Sequence, residues 1–206
     1  MSTLTNLFTD IANAIRTKKG TTDLINATDF ANEILNISGG SSNAVIIPFA
    51  ESLCPTVWSN NEATNDIGTF KVSASTINSS STPASNAFDS DSSSSWRPIA
   101  SADYEYVQLE LPTKVSICPT SITATYQRTV ASGTTGYIQG YNEKTSAWEN
   151  LCELERTSAS RTDTFSVTTS NFYTKFRTYA KSYASSSSYA QYIYDLKITA
   201  GKIKIE

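Results

Sequence analysis

Ala87-Phe88-Asp89-Ser90-Asp91-Ser92-Ser93-Ser94-Ser95-Trp96 is the stretch on which the reading of this chain turns. Its small polar residues make a poor core, so the run is a loop. Yet Ala87 and Phe88 precede it and Trp96 closes it, and all three favour burial. A loop pinned at both ends by apolar side chains belongs to a packed domain. Asp89, Asp91 and Ser94 set hard oxygen ligands on one short turn, the chemistry Ca²⁺ favours. Asp89 alone also suffices to close an Asx turn by accepting from a backbone amide two residues on.

Outward from this turn the pattern is β. Val45-Ile46-Ile47-Pro48-Phe49 predicts a short strand whose proline suits a sheet edge. Phe70 to Ser75 alternates. Val107, Leu109 and Leu111 face one way, and Tyr106, Gln108 and Glu110 the other. Ile122, Ala124 and Tyr126 repeat the pattern, as do Phe172, Thr174 and Phe176, and then Leu196 and Ile198. Serine-rich loops at 79–81, 92–95 and 185–188 separate the runs at the short intervals of a sandwich. Trp96 and Trp148 read as core anchors.

The beginning of the chain differs. Leu4, Leu7, Phe8, Ile11, Ala14 and Ile15 recur at helical spacing, so a helix from about residue 3 to 16 has one apolar face. Lys18-Lys19-Gly20 supplies the charge and glycine of a helix end. Asn26-Ala27-Thr28-Asp29 reads as a cap for a second helix carrying Phe30, Ile34 and Leu35. Ser38-Gly39-Gly40-Ser41-Ser42 is a flexible linker. Helices this short need the downstream domain, copies of themselves or another protein to cover their apolar faces. The expected division is therefore 1–40, a helical assembly segment and linker, and 41–206, a β domain.

Composition excludes several functions. The 206 residues carry a net charge of −3 and no histidine, with 39% hydrophobic and 17% charged residues. The charge leaves no footprint for nucleic acid. Without histidine there is no Ser-His-Asp or Cys-His catalysis and no His-ligated zinc. Cys54, Cys118 and Cys152 are odd in number and widely spaced, which suits free thiols in a reducing cytoplasm better than a disulfide framework. No apolar run is long enough to span a bilayer, and residues 1–20 lack the core of a secretory signal. Scattered carboxylates such as Glu51, Asp103, Glu105, Glu153 and Glu155 form no glycosidase pair, and no phosphate loop or nucleophile elbow is present. A binding protein rather than an enzyme is expected.

Ala87 to Trp96 resembles the signature turn of discoidin-like, galactose-binding-like β-sandwiches. Further segments match in the correct order: Tyr106 to Pro112, Ile122 to Arg128, the hairpin from Ile138 to Leu151, Tyr173 to Arg177, and Ile193 to Ile198. The resemblance covers 67–201 and implies a mainly β chain, a jelly-roll-like antiparallel β-sandwich behind a short N-terminal α-helical segment. It implies a structural Ca²⁺ held by Asp89, Ser94, Asp195 and the carbonyl of Asp91. Ser90 stands where the family has a turn glycine, and Asp195 where it has a glutamate. It also implies a sugar site on loops at one end of the sandwich, where a flat ring covers a pyranose face and polar groups read its hydroxyls. Arg128 matches a frequent sugar-binding arginine. Tyr183 and Tyr189 occupy the loop that often carries the stacking ring, and Arg97 and Tyr104 flank a third loop. Trp58, Asn60 and Asn61 precede the sandwich. Galactose-specific members often use a histidine, which is missing here. Tyr173, Lys175, Arg177, Tyr179 and Lys181 form a basic aromatic stripe suited to acidic glycan, to nucleic acid, or to a solvated or subunit-facing sheet surface.

A second resemblance lies at residues 5–37. Asp10 to Arg16, Lys19-Gly20-Thr21 and Ile25 to Ile34 are similar to a segment of bacteriophage tail, baseplate and fibre proteins, near their assembly regions. It implies a virion protein assembled in the bacterial host cytoplasm: a fibre, spike or receptor-binding component that attaches to other virion proteins through residues 1–37. The implied oligomer is a homotrimer, with a dimer as the alternative, whose sandwich binds cell-surface glycan, with no membrane insertion. The competing readings are a purely structural capsid-decorating or baseplate subunit, and the binding module of a glycan-degrading system.

Overall fold

The structure is a computed structural model that describes residues 9, 11–17, 22, 25, 44–99, 104–129, 135–181 and 190–206, with backbone alone at 181 and 190. The chain divides into two compact units, Met1–Asn43 and Ala44–Glu206. In the first, residues 11–17 are helical, and Ala12 and Ile15 are buried. The second helix expected around Phe30, Ile34 and Leu35, its cap and the serine-glycine linker lie outside the described residues.

The second unit is a sandwich of two antiparallel sheets. Its strands are β1 (Val45–Pro48), β2 (Glu62–Asn65), β3 (Gly68–Ala74), β4 (Tyr104–Glu110), β5 (Val115–Thr129), β6 (Gly136–Asn142), β7 (Ala147–Leu154), β8 (Thr157–Ser166), β9 (Lys175–Lys181) and β10 (Ala190–Ile205). One sheet has the order β1-β10-β5-β8 and the other β2-β3-β4-β9-β6-β7. The mainly β sandwich expected from the sequence is the observed fold. Alternation builds the core. Phe70, Val72, Val107, Leu109, Ile138 and Phe176 point inward from the six-stranded sheet, and Ile122, Ala124, Tyr126, Ile193, Leu196 and Ile198 from the four-stranded one. Pro48 sits on the edge strand β1, where its missing N–H costs no ladder bond.

The Phe88–Trp96 turn closes the sandwich. A 3-10 turn over Ala84–Ala87 delivers a fully buried Phe88. Trp96 exchanges two backbone bonds with Ile193, at 2.8 and 3.2 Å. Its indole N–H donates to the Thr76 carbonyl at 3.0 Å. β10 would otherwise show an open edge beyond β1. Bridges from Ser52 to Thr199 and from Trp96 to Ile193 cover it, which removes a template for aggregation.

Two sequence expectations are corrected. Phe172, Thr174 and Phe176 do not share an inward face. β9 begins only at Lys175, and the buried ring ahead of it is Tyr173, bridged to Ile117 and laid against Gly140. A Cβ at Gly140 would stand 2.6 Å from that ring, so only glycine leaves room. Trp148 is not a core anchor. It lies half-buried on the outer face of the six-stranded sheet, 5.3 Å from the Tyr141 ring. The register Tyr141↔Trp148 puts both on that face.

Trp96→Ala removes a fully buried ring and the hydrogen bond that joins the turn to Thr76. Urea denaturation is expected to show a loss of about 3–5 kcal/mol, against under about 0.5 kcal/mol for Ser92→Ala on the same loop.

Candidate functional site

Two groups of polar residues stand apart from the apolar core. The first is the Phe88–Trp96 turn itself. Asp89 Oδ1 accepts from the Asp91 amide at 2.9 Å, the Asx closure, and Asp89 Oδ2 accepts from Ser94 Oγ at 2.8 Å. Ser90 adopts a left-handed φ of 62°, a conformation that favours glycine. The Asp91 carboxylate turns outward to the amide and hydroxyl of Ser93, at 2.9 and 2.6 Å. Its carbonyl faces Ser94. Asp195, on β10 just past a bulge, is buried against this turn. Burial, and then Asp89, push its carboxyl above the usual range, while Lys197, 3.3 Å away, opposes them. Asp195 Oδ1 is buried and has no hydrogen-bond partner among the described residues.

An orphaned carboxylate oxygen beside a second carboxylate fits a cation. The residues that would hold one are Asp89, Ser94, Asp195 and the Asp91 carbonyl, all hard oxygens suited to Ca²⁺. No cluster of three or more acidic or thiol groups occurs among the described residues. Cys54, near Asp195, has its thiol pushed up to about 12, chiefly by burial, and so stays protonated. Cys118 and Cys152 are also free thiols.

The second group occupies one end of the sandwich. The registers Tyr104↔Lys181, Gly136↔Ala180 and Thr129↔Ala190 show that the connections after Trp96, after β5 and after β9 leave from the same end. Arg128 is not a loop residue. It lies on β5 in phase with Ile122, Ala124 and Tyr126, so it points into the sandwich and is only 1% exposed. Its Nη1 donates to the Leu154 carbonyl at 3.3 Å. A Cβ on Gly136 would come within 2.6 Å of Arg128 Nε, so the bare backbone there makes space for the side chain. Burial pulls the guanidinium pKa down, and Tyr126, Glu153 and Tyr137 pull it back up.

Around Arg128 at this end lie polar residues that the sequence reading passed over. Glu105, buried on β4, accepts from the hydroxyls of Ser75 and Thr76. Among the described residues its Oε1 has no hydrogen-bond partner, nor have Thr178 Oγ1 or either amide atom of Gln191, the strand partner of Arg128. Buried polar atoms without partners are costly, so their occurrence in two successive layers, Glu105 level with Ala180 and Thr178 one step inward beside Val107, marks a place built for more than packing. The signal for finding them was the phase of alternation: Glu105 shares it with Val107, and Gln191 with Ile193.

Of the other expected contacts, Arg97 lies over the Tyr192 ring, 4.8 Å from its centroid, and bonds Ser95 Oγ. Tyr104 is 47% exposed and stacks on Tyr179. Tyr183 and Tyr189 lie outside the described residues. Trp58 is tied down by its indole N–H, which donates to the Phe88 carbonyl at 3.1 Å.

No protein-family model matches the chain, and no curated protein matches it. Solved structures do. A selenomethionine-labelled mutant of chitosan-binding module 1, from a chitosanase/glucanase of Paenibacillus sp. IK-5, superposes with a TM-score of 0.53 at 16% identity, over 73% of this chain and 99% of that one. Chitosan-binding module 2 of the same enzyme, in complex with chitotriose, gives 0.49 at 17%, over 67% and 95%. The family 32 module of C. perfringens NanJ, in complex with galactose, gives 0.48 at 15%, over 63% and 93%. The first of these likenesses establishes the fold as the sandwich of a carbohydrate-binding module.

Two outcomes follow for these groups. Arg128→Ala is expected to cost about 2–3 kcal/mol in urea denaturation, because it leaves a void and unpaired polar neighbours inside the sandwich. With divalent ions chelated, Asp195→Asn is expected to melt at a higher temperature than the wild type at neutral pH. The folded carboxyl of Asp195 titrates above its unfolded value. Its contribution to stability is therefore full below the unfolded pKa and is lost as pH rises through the folded one. The gap between the two melting curves should close on acidification.

Proposed function

We propose that this chain is a virion protein of bacteriophage type, a fibre, spike or receptor-binding component. In this reading the sandwich binds host cell-surface carbohydrate and residues 1–37 attach to other virion proteins. The observation that carries sugar binding is the polar end of the sandwich. Buried Glu105, Thr178, Gln191 and Arg128 underlie it, and Arg97 and Tyr104 stand at its rim. The fold it is built on is also that of a chitosan-binding module. By sequence, Tyr183 and Tyr189 belong to the segment between β9 and β10, and either ring type suits stacking on a sugar. Arg128 serves as the floor that orients the rim. The virion assignment rests on the likeness of residues 5–37 to phage tail, baseplate and fibre segments.

The reading contains no chemical step, so the protein is a lectin-like module and not an enzyme. A shallow site of this kind binds near the millimolar end of the scale, about 4 kcal/mol. Attachment then depends on several copies per particle, which a homotrimer joined through the N-terminal segment would supply. Ca²⁺ at Asp89, Ser94, Asp195 and the Asp91 carbonyl would hold the turn closed against β10. The burial of Arg128 favours a second reading, a structural capsid or baseplate subunit with no sugar ligand.

Glycan arrays and adsorption to candidate host cells separate the two readings. Arg97→Ala with Tyr189→Ala is expected to abolish binding while leaving the melting temperature within a few degrees of wild type. A folded wild-type protein that binds no glycan and no cell supports the structural subunit. Sedimentation is expected to show an oligomer for the full chain and a folded monomer after deletion of residues 1–40. Ca²⁺ is expected to raise the melting temperature of the wild type and to leave Asp195→Asn unmoved.

A further inference from the structure

The outer face of the six-stranded sheet carries a ladder of rings built around one arginine. Tyr104 and Tyr179 stack nearly parallel, with centroids 5.1 Å apart and planes 9° apart. The Arg177 guanidinium lies 4.2 Å from the Tyr179 centroid and 4.0 Å from the Trp148 centroid. Tyr141 continues the row against Trp148. The stripe read from the sequence is thus partly right. Tyr173 drops out into the core, and Trp148 enters from β7.

Arg177 is held in place. Its Nε donates to Gln139 Oε1 at 2.8 Å, and Gln139 Nε2 in turn donates to Asn150 Oδ1 at 2.7 Å. Close contact with two rings and the hydrogen bond to Gln139 restrict the guanidinium. The neighbouring cations are neutralised: Lys175 by Glu110 at 3.2 Å and Lys71 by Glu62 at 3.1 Å. Arg177 forms no ion pair with any described residue, and its two terminal nitrogens have no protein acceptor among them. It is half-buried, and that burial pulls its pKa down against the pull of Tyr179 and Tyr106. A partly desolvated cation with an aligned, unspent N–H fork matches a carboxylate in bidentate geometry.

We infer that this face is a second binding site, distinct from the polar end of the sandwich, and that it takes a carboxylate-bearing sugar residue of an acidic glycan, with Arg177 clasping the carboxylate. The surroundings suit a saccharide. β9 is flanked by β4 and β6, so its backbone groups are spent and no peptide can add as a strand. Recognition must come from side chains, and Tyr106, whose ring centroid is 5.9 Å from the guanidinium, and Gln108, opposite Arg177 on β4, offer a hydroxyl and an amide. A single arginine at this face, on a chain of net charge −3, is too little for a nucleic-acid backbone.

Affinity electrophoresis of the full chain in gels holding polygalacturonate, fully methyl-esterified polygalacturonate or neutral dextran tests this, with titration against 3′-sialyllactose as a separate arm for a terminal acidic sugar. Retardation by polygalacturonate or saturable binding of sialyllactose is expected, and esterification should abolish the former. Arg177→Met should abolish binding, and Arg177→Lys, which keeps the charge but loses the fork, should weaken it by roughly tenfold or more. Gln139→Ala should weaken it with little change in melting. Arg97→Ala, at the other site, should leave it unchanged, so the two readings fail separately. No binding in either acidic arm, equal binding to the esterified polymer, or undiminished binding by folded Arg177→Met or Arg177→Lys overturns the inference.

Discussion

The sandwich depends on the seat of Trp96. Its backbone closes onto Ile193 in the four-stranded sheet, and its indole reaches Thr76, which follows the β3 strand of the six-stranded sheet. One fully buried side chain therefore spans both layers and covers the edge of β10. The rest of the Phe88–Trp96 turn is arranged to hold that position. Ala84, Ala87 and Phe88 are buried on its approach, and Asp89 cross-links its far side through Asp91 and Ser94. Ser90 turns the chain beside Asp89 with a left-handed φ, and Asp89 adds to the upward push that burial puts on the carboxyl of Asp195.

Polar residues inside the sandwich follow from the same architecture. An antiparallel strand places every second residue inward regardless of chemistry. Near the middle of the strands those positions are Val107, Tyr126 and Ile193; one step toward the connections they become Glu105, Arg128 and Gln191. The core changes from apolar to polar within one residue pair, at the end from which three connections emerge. A fold of this kind supplies rigidity from its middle and chemistry from its end. Gly136 shows that the change is accommodated in the backbone, since any side chain there would collide with Arg128.

The outer face of the six-stranded sheet shows the converse. Aromatic residues there pack on one another and on Arg177. Cation–π contact with two rings orders the guanidinium without neutralising it. Lys175, two residues earlier on the same face, is instead paired with Glu110. The difference between these neighbours lies in their cross-strand partners: Glu110 sits opposite Lys175, while Gln108 and Gln139 sit opposite Arg177.

How much of this was legible beforehand differs by element. Alternation at Val107-Leu109, Ile122-Ala124-Tyr126 and Leu196-Ile198 determined the β class, because period-two burial is a local property of the chain. The Ala87–Trp96 run likewise determined its own turn, since Asp89, Ser94 and the flanking apolar residues act within ten positions. Phase failed where it was not followed to the strand ends: Arg128 continues the Ile122 series, yet it reads as a loop residue if the strand is stopped at Tyr126. Phase also failed at Tyr173, where an irregular residue ahead of β9 shifts the face, and at Trp148, whose ring is large enough to suggest a core. Only the tertiary structure decided that Trp148, Tyr179 and Tyr104 share one ladder with Arg177. Those residues lie on three strands, and their proximity is set by sheet order and register, which depend on backbone pairing between segments that no local pattern connects.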